Sequence, residues 1–185
     1  MTREEAYYER IKLLCGDWDS YDAWLNTYLE TEDPLSNIVL ELLECRDDIK
    51  EAEYRLNLYC QEKPFDEESV YVRLRLELYE QYEQGSMNSD DVATMLFRIS
   101  ANIPFCAFQL ACGNISDYYV FVSEGLLNQE EFDVALKEFL REGRPINVNI
   151  MWDKLLKPEH KKKTGFIERM KKFFMRLRKE NQKDS

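Results

Sequence analysis

This chain of 185 residues has few histidines and glycines and no closely paired cysteines. Most metal, phosphate and nucleophilic sites depend on these residues. The single histidine, His160, excludes metal sites built from several histidines and argues against a Ser/His/Asp or Cys/His mechanism. None of the six glycines belongs to a G-x-G-x-x-G or G-x-x-x-x-G-K-[ST] motif, so no phosphate cradle is predicted. The five cysteines form no C-x-x-C pair, which favours reduced core thiols over a zinc site. We therefore expect no enzyme, no metal and no cofactor.

Long apolar runs are also missing. No stretch approaches the roughly 18 apolar residues that span a bilayer, and the charged start MTREEAYYERIK is unlike a signal peptide. A composition of 44% hydrophobic and 33% charged residues fits a folded, mostly helical chain. We expect a cytoplasmic protein.

Positive charge is scarce everywhere except near the C-terminus. Residues 1–152 hold 13 Lys/Arg against 31 Asp/Glu, a balance of −18, whereas residues 153–185 hold 12 against 5, a balance of +7. An acidic body of this kind should repel nucleic acid and attract basic protein surfaces, although solubility alone is the ordinary explanation. The prediction is a protein partner with a basic surface, and no nucleic-acid partner.

Apolar residues recur every three or four positions along residues 1–143, and residues 1–152 are predicted to form a single acidic all-α domain of about nine helices. Asp33-Pro34, Asp48 and Asp66 are predicted to start helices, because acidic caps and proline suit the first turn. Pro104 to Gly113 is predicted as a short buried helix, with a strand as the alternative, and a separate helix follows up to Glu124. The alternation of residues 146–150 predicts an extended segment.

A partial repeat of 40 residues relates Gly85–Leu96 to Gly125–Leu136. Each copy has a glycine to end one helix, an apolar residue, an asparagine, and acids for the next helix N-terminus. Two hypotheses stay open: stacked antiparallel helix pairs of the solenoid kind, or a turn on which any helix hairpin converges.

Tyrosines beside carboxylates form a second recurring pattern. Such tyrosines would suit an interface for a basic partner, and filling gaps between helices is the alternative that we favour for any single one. The residues concerned are Tyr7, Tyr8, Tyr71, Tyr79, Tyr82, Tyr118 and Tyr119.

The C-terminal region divides into a basic linker, residues 153–163, and a basic amphipathic tail, residues 164–185, predicted to be helical. The tail could bind an anionic membrane surface, dock on another protein, or fold onto its own acidic body. In the membrane case the protein would be peripheral on the inner face of the membrane. The predicted membrane- or partner-binding residues are Phe166, Ile167, Arg169, Met170, Lys171, Lys172, Phe173, Phe174, Arg176 and Leu177.

The run Asp33-Pro34-Leu35-Ser36-Asn37-Ile38-Val39-Leu40-Glu41-Leu42, the acid-capped helix after it and the Gly85 turn resemble small acidic all-helical bacterial proteins of unassigned function. Some of these are thought to be immunity proteins of polymorphic toxin systems. The resemblance covers about residues 20–145. It implies a non-enzymatic protein that presents an acidic face to a basic toxin surface. A peripheral membrane adaptor held by the tail is the alternative.

Overall fold

The computed structural model describes residues 1–155, apart from the side chain of Ile150. Every regular element in that range is a helix, which confirms the all-α class. The helices are α1 (Arg3–Leu14), α2 (Tyr21–Thr31), α3 (Asn37–Glu44), α4 (Ile49–Gln61), α5 (Glu67–Glu83), α6 (Ser89–Asn102), α7 (Ala107–Ser123), α8 (Gln129–Glu142) and α9 (Val148–Leu155).

The first helix lies at the centre of the fold. α1 packs against α4, α5 and α6, and its Ala6 and Ile11 are completely buried. α5 also packs against α8, and α7 packs against both α6 and α8. α3 packs against α4, and α2 packs against α3. The contacts therefore join helices that are distant in the chain, and one continuous apolar core runs through the described residues.

Two predicted helix starts are confirmed. The Asp48 carboxylate accepts the backbone N–H groups of Lys50 and Glu51, each at 3.1 Å, so the chain breaks between α3 and α4 as predicted. The Asp66 carboxylate accepts the N–H of Ser69 at 3.2 Å and begins α5. Each cap satisfies donors that the first helical turn leaves unpaired, which stabilises a helix by about 1 kcal/mol.

Asp33-Pro34 does not begin a helix, contrary to the prediction. α3 starts at Asn37, with Ser36 in the flanking extended position. The Glu32 carboxylate accepts the backbone N–H of Ser36 at 3.1 Å and also binds the amino group of Met1. These bonds hold residues 32–36 against the N-terminus of the chain. α3 therefore begins three residues after its predicted start at Pro34.

Gly113 does not end a helix, and this prediction is also wrong. α7 runs unbroken from Ala107 to Ser123, and Gly113 lies within it without the positive φ that a helix-ending glycine adopts. A Cβ added at Gly113 would lie 4.0 Å from the Ser100 side chain, and the Ser116 hydroxyl donates to the Ala93 carbonyl oxygen of α6 at 3.0 Å.

The predicted extended segment at residues 146–150 is wrong as well. The Asn147 side-chain oxygen accepts the backbone N–H of Asn149 at 3.1 Å, and α9 follows from Val148. Met151 and Leu155, four residues apart, are buried on one side of this helix. Five residues of alternation were too few to distinguish a strand from the start of a helix. Nine helices are thus described, but one predicted pair is a single helix and α9 was not predicted.

Candidate protein-binding surface

The two repeated turns have the same backbone geometry. Gly85 and Gly125 adopt left-handed conformations, with φ of 72° and 64°. In each turn the two residues after the glycine donate their N–H groups to one carbonyl oxygen of the preceding helix, Gln81 in the first and Phe121 in the second. The Asn88 and Asn128 side chains then cap α6 and α8. The repeat is therefore one turn built twice.

Asp133 brings the second repeated turn against the first. Its Oδ1 accepts the Ser89 hydroxyl at 2.7 Å and the Gln129 amide at 2.9 Å, with the Tyr82 hydroxyl 3.4 Å away. These bonds join the C-terminal end of α5 to the N-terminal ends of α6 and α8. Because α7 packs against both α6 and α8, its C-terminal half lies between them.

The acids of both turns consequently meet at one end of the fold. We define the acidic end as Asp90, Asp91, Glu124, Glu130 and Glu131, all of which are exposed. Between residues 84 and 136 the chain holds seven acids and one base, Arg98, which donates to the Cys15 carbonyl oxygen at 2.9 Å.

Helix capping explains only part of the acidic end. Asp91 completes a capping box with Asn88, and Glu131 pairs with Lys154. Asp90, Glu124 and Glu130 form no ion pair within residues 1–155. Burial, followed by the charge of Asp90, raises the pKa of the Tyr119 hydroxyl between the two helix ends. Three of the five acids at this end thus carry negative charge without an ion-pair partner among the described residues.

An apolar groove adjoins the acidic end. We call it the α8–α9 groove; its volume is about 380 Å³, and one side carries the Glu131–Lys154 ion pair. Val134 is 60% exposed there, whereas Tyr118 is buried and packs edge-on against Phe132 with ring centroids 5.3 Å apart. The groove is lined by Tyr118, Glu131, Val134, Ala135, Ile146, Asn147, Met151 and Lys154. Because Glu131 is paired with Lys154, the lining itself suits an apolar side chain, and positive charge would be attracted by the adjoining acidic end.

Most of the tyrosines beside acids are core residues. Tyr7, Tyr8, Tyr71 and Tyr118 are buried, and the Tyr7 and Tyr71 hydroxyl oxygens lie 3.1 Å apart. Tyr79, Tyr82 and Tyr119 are half-buried, with Tyr82 and Tyr119 beside the acidic end. Packing is therefore the main role of this set, as the favoured alternative predicted.

The five cysteines are free thiols; three are core residues as predicted, whereas Cys45 and Cys106 are half-buried. Cys15, Cys60 and Cys112 are buried, and burial raises the pKa of Cys15 to about 12 and of Cys60 to about 11. Their thiolates are absent at neutral pH, so neither suits nucleophilic chemistry. Within residues 1–155, no group of three or more His, Cys, Asp or Glu residues is arranged to hold a metal ion.

Two buried ionisable side chains gave no signal in the sequence. Glu9 of α1 is 1% exposed and its Oε1 has no hydrogen-bond partner, so burial raises its pKa to about 7. Arg75 of α5 is 8% exposed and donates to the carbonyl oxygens of Phe139 and Leu140 at the end of α8. Glu9 is sealed from solvent and Arg75 completes a helix end, so both are structural.

The ten predicted tail residues, Phe166 to Leu177, lie outside the described residues, as does His160. No helix within residues 1–155 combines the length and apolarity that crossing a membrane requires. No protein-family model, curated protein or solved structure matches this chain. The class supported is an all-α protein with an acidic end and an adjacent apolar groove.

Proposed function

We propose that this chain is a non-enzymatic protein-binding protein whose acidic end contacts a basic surface on another protein. The observation that supports it is the exposure of Asp90, Glu124 and Glu130 without ion-pair partners among the described residues. Exposed carboxylates left unpaired increase the rate of encounter with a positively charged partner.

The groove supplies the second component that a stable complex needs. Rim charges mainly accelerate association, whereas buried apolar anchors slow dissociation. An apolar side chain seated over Val134 would lie next to Glu131 and within one helical turn of Glu130. A partner side chain in this groove, with Lys or Arg on either side, fits both features.

In its most specific form the protein is an immunity-type inhibitor that covers a basic active surface of a toxin. This form is supported by the resemblance over residues 20–145 and by the charge of the acidic end. A toxin gene directly upstream is the expected gene neighbourhood, and an unrelated neighbour would count against the immunity form.

Binding of the native partner to two matched triple variants tests the proposal. The acidic-end variant carries Asp90→Asn, Glu124→Gln and Glu130→Gln. The control variant carries Glu30→Gln, Glu44→Gln and Asp47→Asn, three exposed acids on α2, α3 and the following turn. Both remove three negative charges, so we expect Kd to rise at least about tenfold only in the acidic-end variant, about 1.4 kcal/mol. Equal weakening by both variants would mean that only net charge matters.

Membrane attachment through the tail is the second candidate, favoured by the seven large apolar and six Lys/Arg residues of Thr164–Lys179. Flotation on vesicles containing phosphatidylglycerol tests it with the full chain and a chain lacking residues 158–185. Equal flotation of the two would exclude the membrane candidate.

We also propose that α5–α6 and α7–α8 are antiparallel pairs related by the 40-residue repeat, which the shared turn geometry supports. A solenoid-like stack of such pairs would require the α6–α7 packing to repeat along one axis, which an experimental structure of the full chain would test. Circular dichroism of a peptide spanning residues 164–179 tests the predicted tail helix.

A further inference from the structure

The α8–α9 groove lies where the described chain ends. Met151 and Lys154 of α9 form part of its lining, and α9 ends one residue later at Leu155. The nine steps from Leu155 to residue 164 can span at most about 32 Å, because an extended residue advances the chain by about 3.5 Å. Residue 164 therefore remains within about 32 Å of Leu155, which gives the following segment a high effective concentration near the groove.

The segment 164–179 matches the groove in chemistry. Its apolar residues recur every three or four positions, and Lys or Arg residues stand between them. The groove offers an apolar floor at Val134 and Ala135, and the adjoining acidic end offers the exposed carboxylate of Glu130, which has no ion-pair partner among the described residues. A helix of 16 residues would be about 24 Å long, enough to cross the groove and reach the acidic end.

The exposed apolar positions of α6, α7 and their connection lack this combination. Phe97, Phe105 and Leu110, on α6, the α6–α7 connection and α7, are 61%, 85% and 51% exposed. Between residues 97 and 110 the only charged side chain is Arg98. A basic segment gains no charge attraction there, whereas the acidic end attracts it.

We propose that residues 164–179 dock in the α8–α9 groove of their own chain, with their apolar side chains over Val134 and Ala135 and their basic side chains at the acidic end. This docking needs no external partner. Its consequence rests on the proposed function: a basic partner must displace the segment before it can reach the acidic end, so the tail reduces the apparent affinity of the protein.

Photo-crosslinking in the full-length chain tests the docking. p-Benzoylphenylalanine is placed at Val134 in one variant and at Phe97 in a matched control, because the two side chains are 60% and 61% exposed. We expect crosslinks from position 134 to peptides within residues 164–179, at least about tenfold more abundant than those from position 97. The yield should fall severalfold between 0.05 and 0.5 M salt, since salt screens the charge attraction.

Mixing isotope-labelled and unlabelled protein identifies the molecule that supplies the segment. Crosslinked peptides of a single isotope composition support docking within one chain, whereas mixed pairs would assign the groove to a second copy and overturn the proposal. Absence of the position-134 crosslink together with flotation on phosphatidylglycerol vesicles would assign the segment to a membrane and also overturn it.

Hydrogen exchange tests the docking without p-benzoylphenylalanine, whose bulk at position 134 could itself block the groove. In the full chain, Phe166→Glu with Phe173→Glu should accelerate exchange of the α9 amides at least about fivefold and leave α2 unchanged. Unchanged exchange in α9 would overturn the proposal. Neither experiment contains a partner, so a failure here is distinct from a failure of the acidic-end variant to weaken partner binding.

Discussion

Glu9 gives the most quantitative prediction, because its environment couples folding to pH. The side chain lies inside the fold at 1% exposure with an unpartnered Oε1, close to the Tyr21 hydroxyl, which is also buried and unpartnered. Burial is the largest cause that raises its pKa, and Asp17 adds to it, while Lys12 and Arg73 oppose it. Glu9→Gln replaces the ionisable carboxyl with a neutral group of the same shape.

The size of the expected difference in stability follows from the pKa of Glu9 in the folded and unfolded states. The pKa of Glu9 rises from 4.5 to about 7 on folding, so the folded state binds this proton more tightly than the unfolded state. The contribution to stability is therefore greatest below pH 4.5 and is lost as the pH rises to about 7. At about 1.4 kcal/mol per pKa unit, the loss is about 3 kcal/mol. We expect Glu9→Gln to match the original chain near pH 4.5 and to exceed its stability by about 3 kcal/mol at pH 8.

Urea unfolding followed by circular dichroism between pH 4.5 and 8 measures this difference. Asp117 also titrates in this range, since burial raises its pKa to about 6, so the informative quantity is the difference between the two chains at each pH. Glu30→Gln, an exposed change on α2, is the control and should leave the difference near zero. A Glu9→Gln difference that does not vary with pH would refute the reasoning.

The remaining predictions concern the end of α8 and the glycine turns. Arg75→Leu should lower the free energy of unfolding by about 1–3 kcal/mol in urea titrations, because the Leu140 carbonyl oxygen loses its donor inside the fold, whereas the Phe139 carbonyl oxygen keeps the Gly143 N–H; an effect below about 0.5 kcal/mol would contradict this role. Gly143→Ala and Gly85→Ala both place alanine at φ 72°, which costs about 1–2 kcal/mol. The Cβ added at Gly143 would lie 3.5 Å from the Arg75 guanidinium, an ordinary van der Waals distance, so the two melting temperatures should fall by similar amounts; no fall in either variant would contradict backbone strain at these turns.

The sequence correctly predicted several helix starts, because a helix cap depends only on residues that are close together in the chain. Asp48, Asp66 and the asparagines of the two repeated turns act within their own first helical turn, and their caps are found in the structure. The prediction at Gly113 is wrong because a glycine can end a helix or lie within one, and only the backbone conformation, which has no positive φ at Gly113, decides between these roles. Asn147 caps its helix too, but the alternating residues after it concealed the signal.

The candidate surface likewise combines a property that the sequence predicted with contacts between residues that are distant in the chain. The charge count predicted an acidic body, yet the acidic end exists because Asp133 of α8 accepts the Ser89 hydroxyl of α6, a contact across 44 residues that no local pattern encodes. The groove likewise needs α9, which the sequence did not predict. Arg75 and Glu9 resemble ordinary surface charges of amphipathic helices, and only their tertiary neighbours reveal their burial.

The association rate of the native partner as a function of salt tests the central claim most directly. For the original chain and the control variant, the rate constant should fall at least about tenfold between 0.05 and 0.5 M salt, because screening removes attraction between the acidic end and the partner. For the acidic-end variant the low-salt rate should already be reduced and should depend only weakly on salt. The same steep salt dependence in all three proteins would contradict binding at the acidic end.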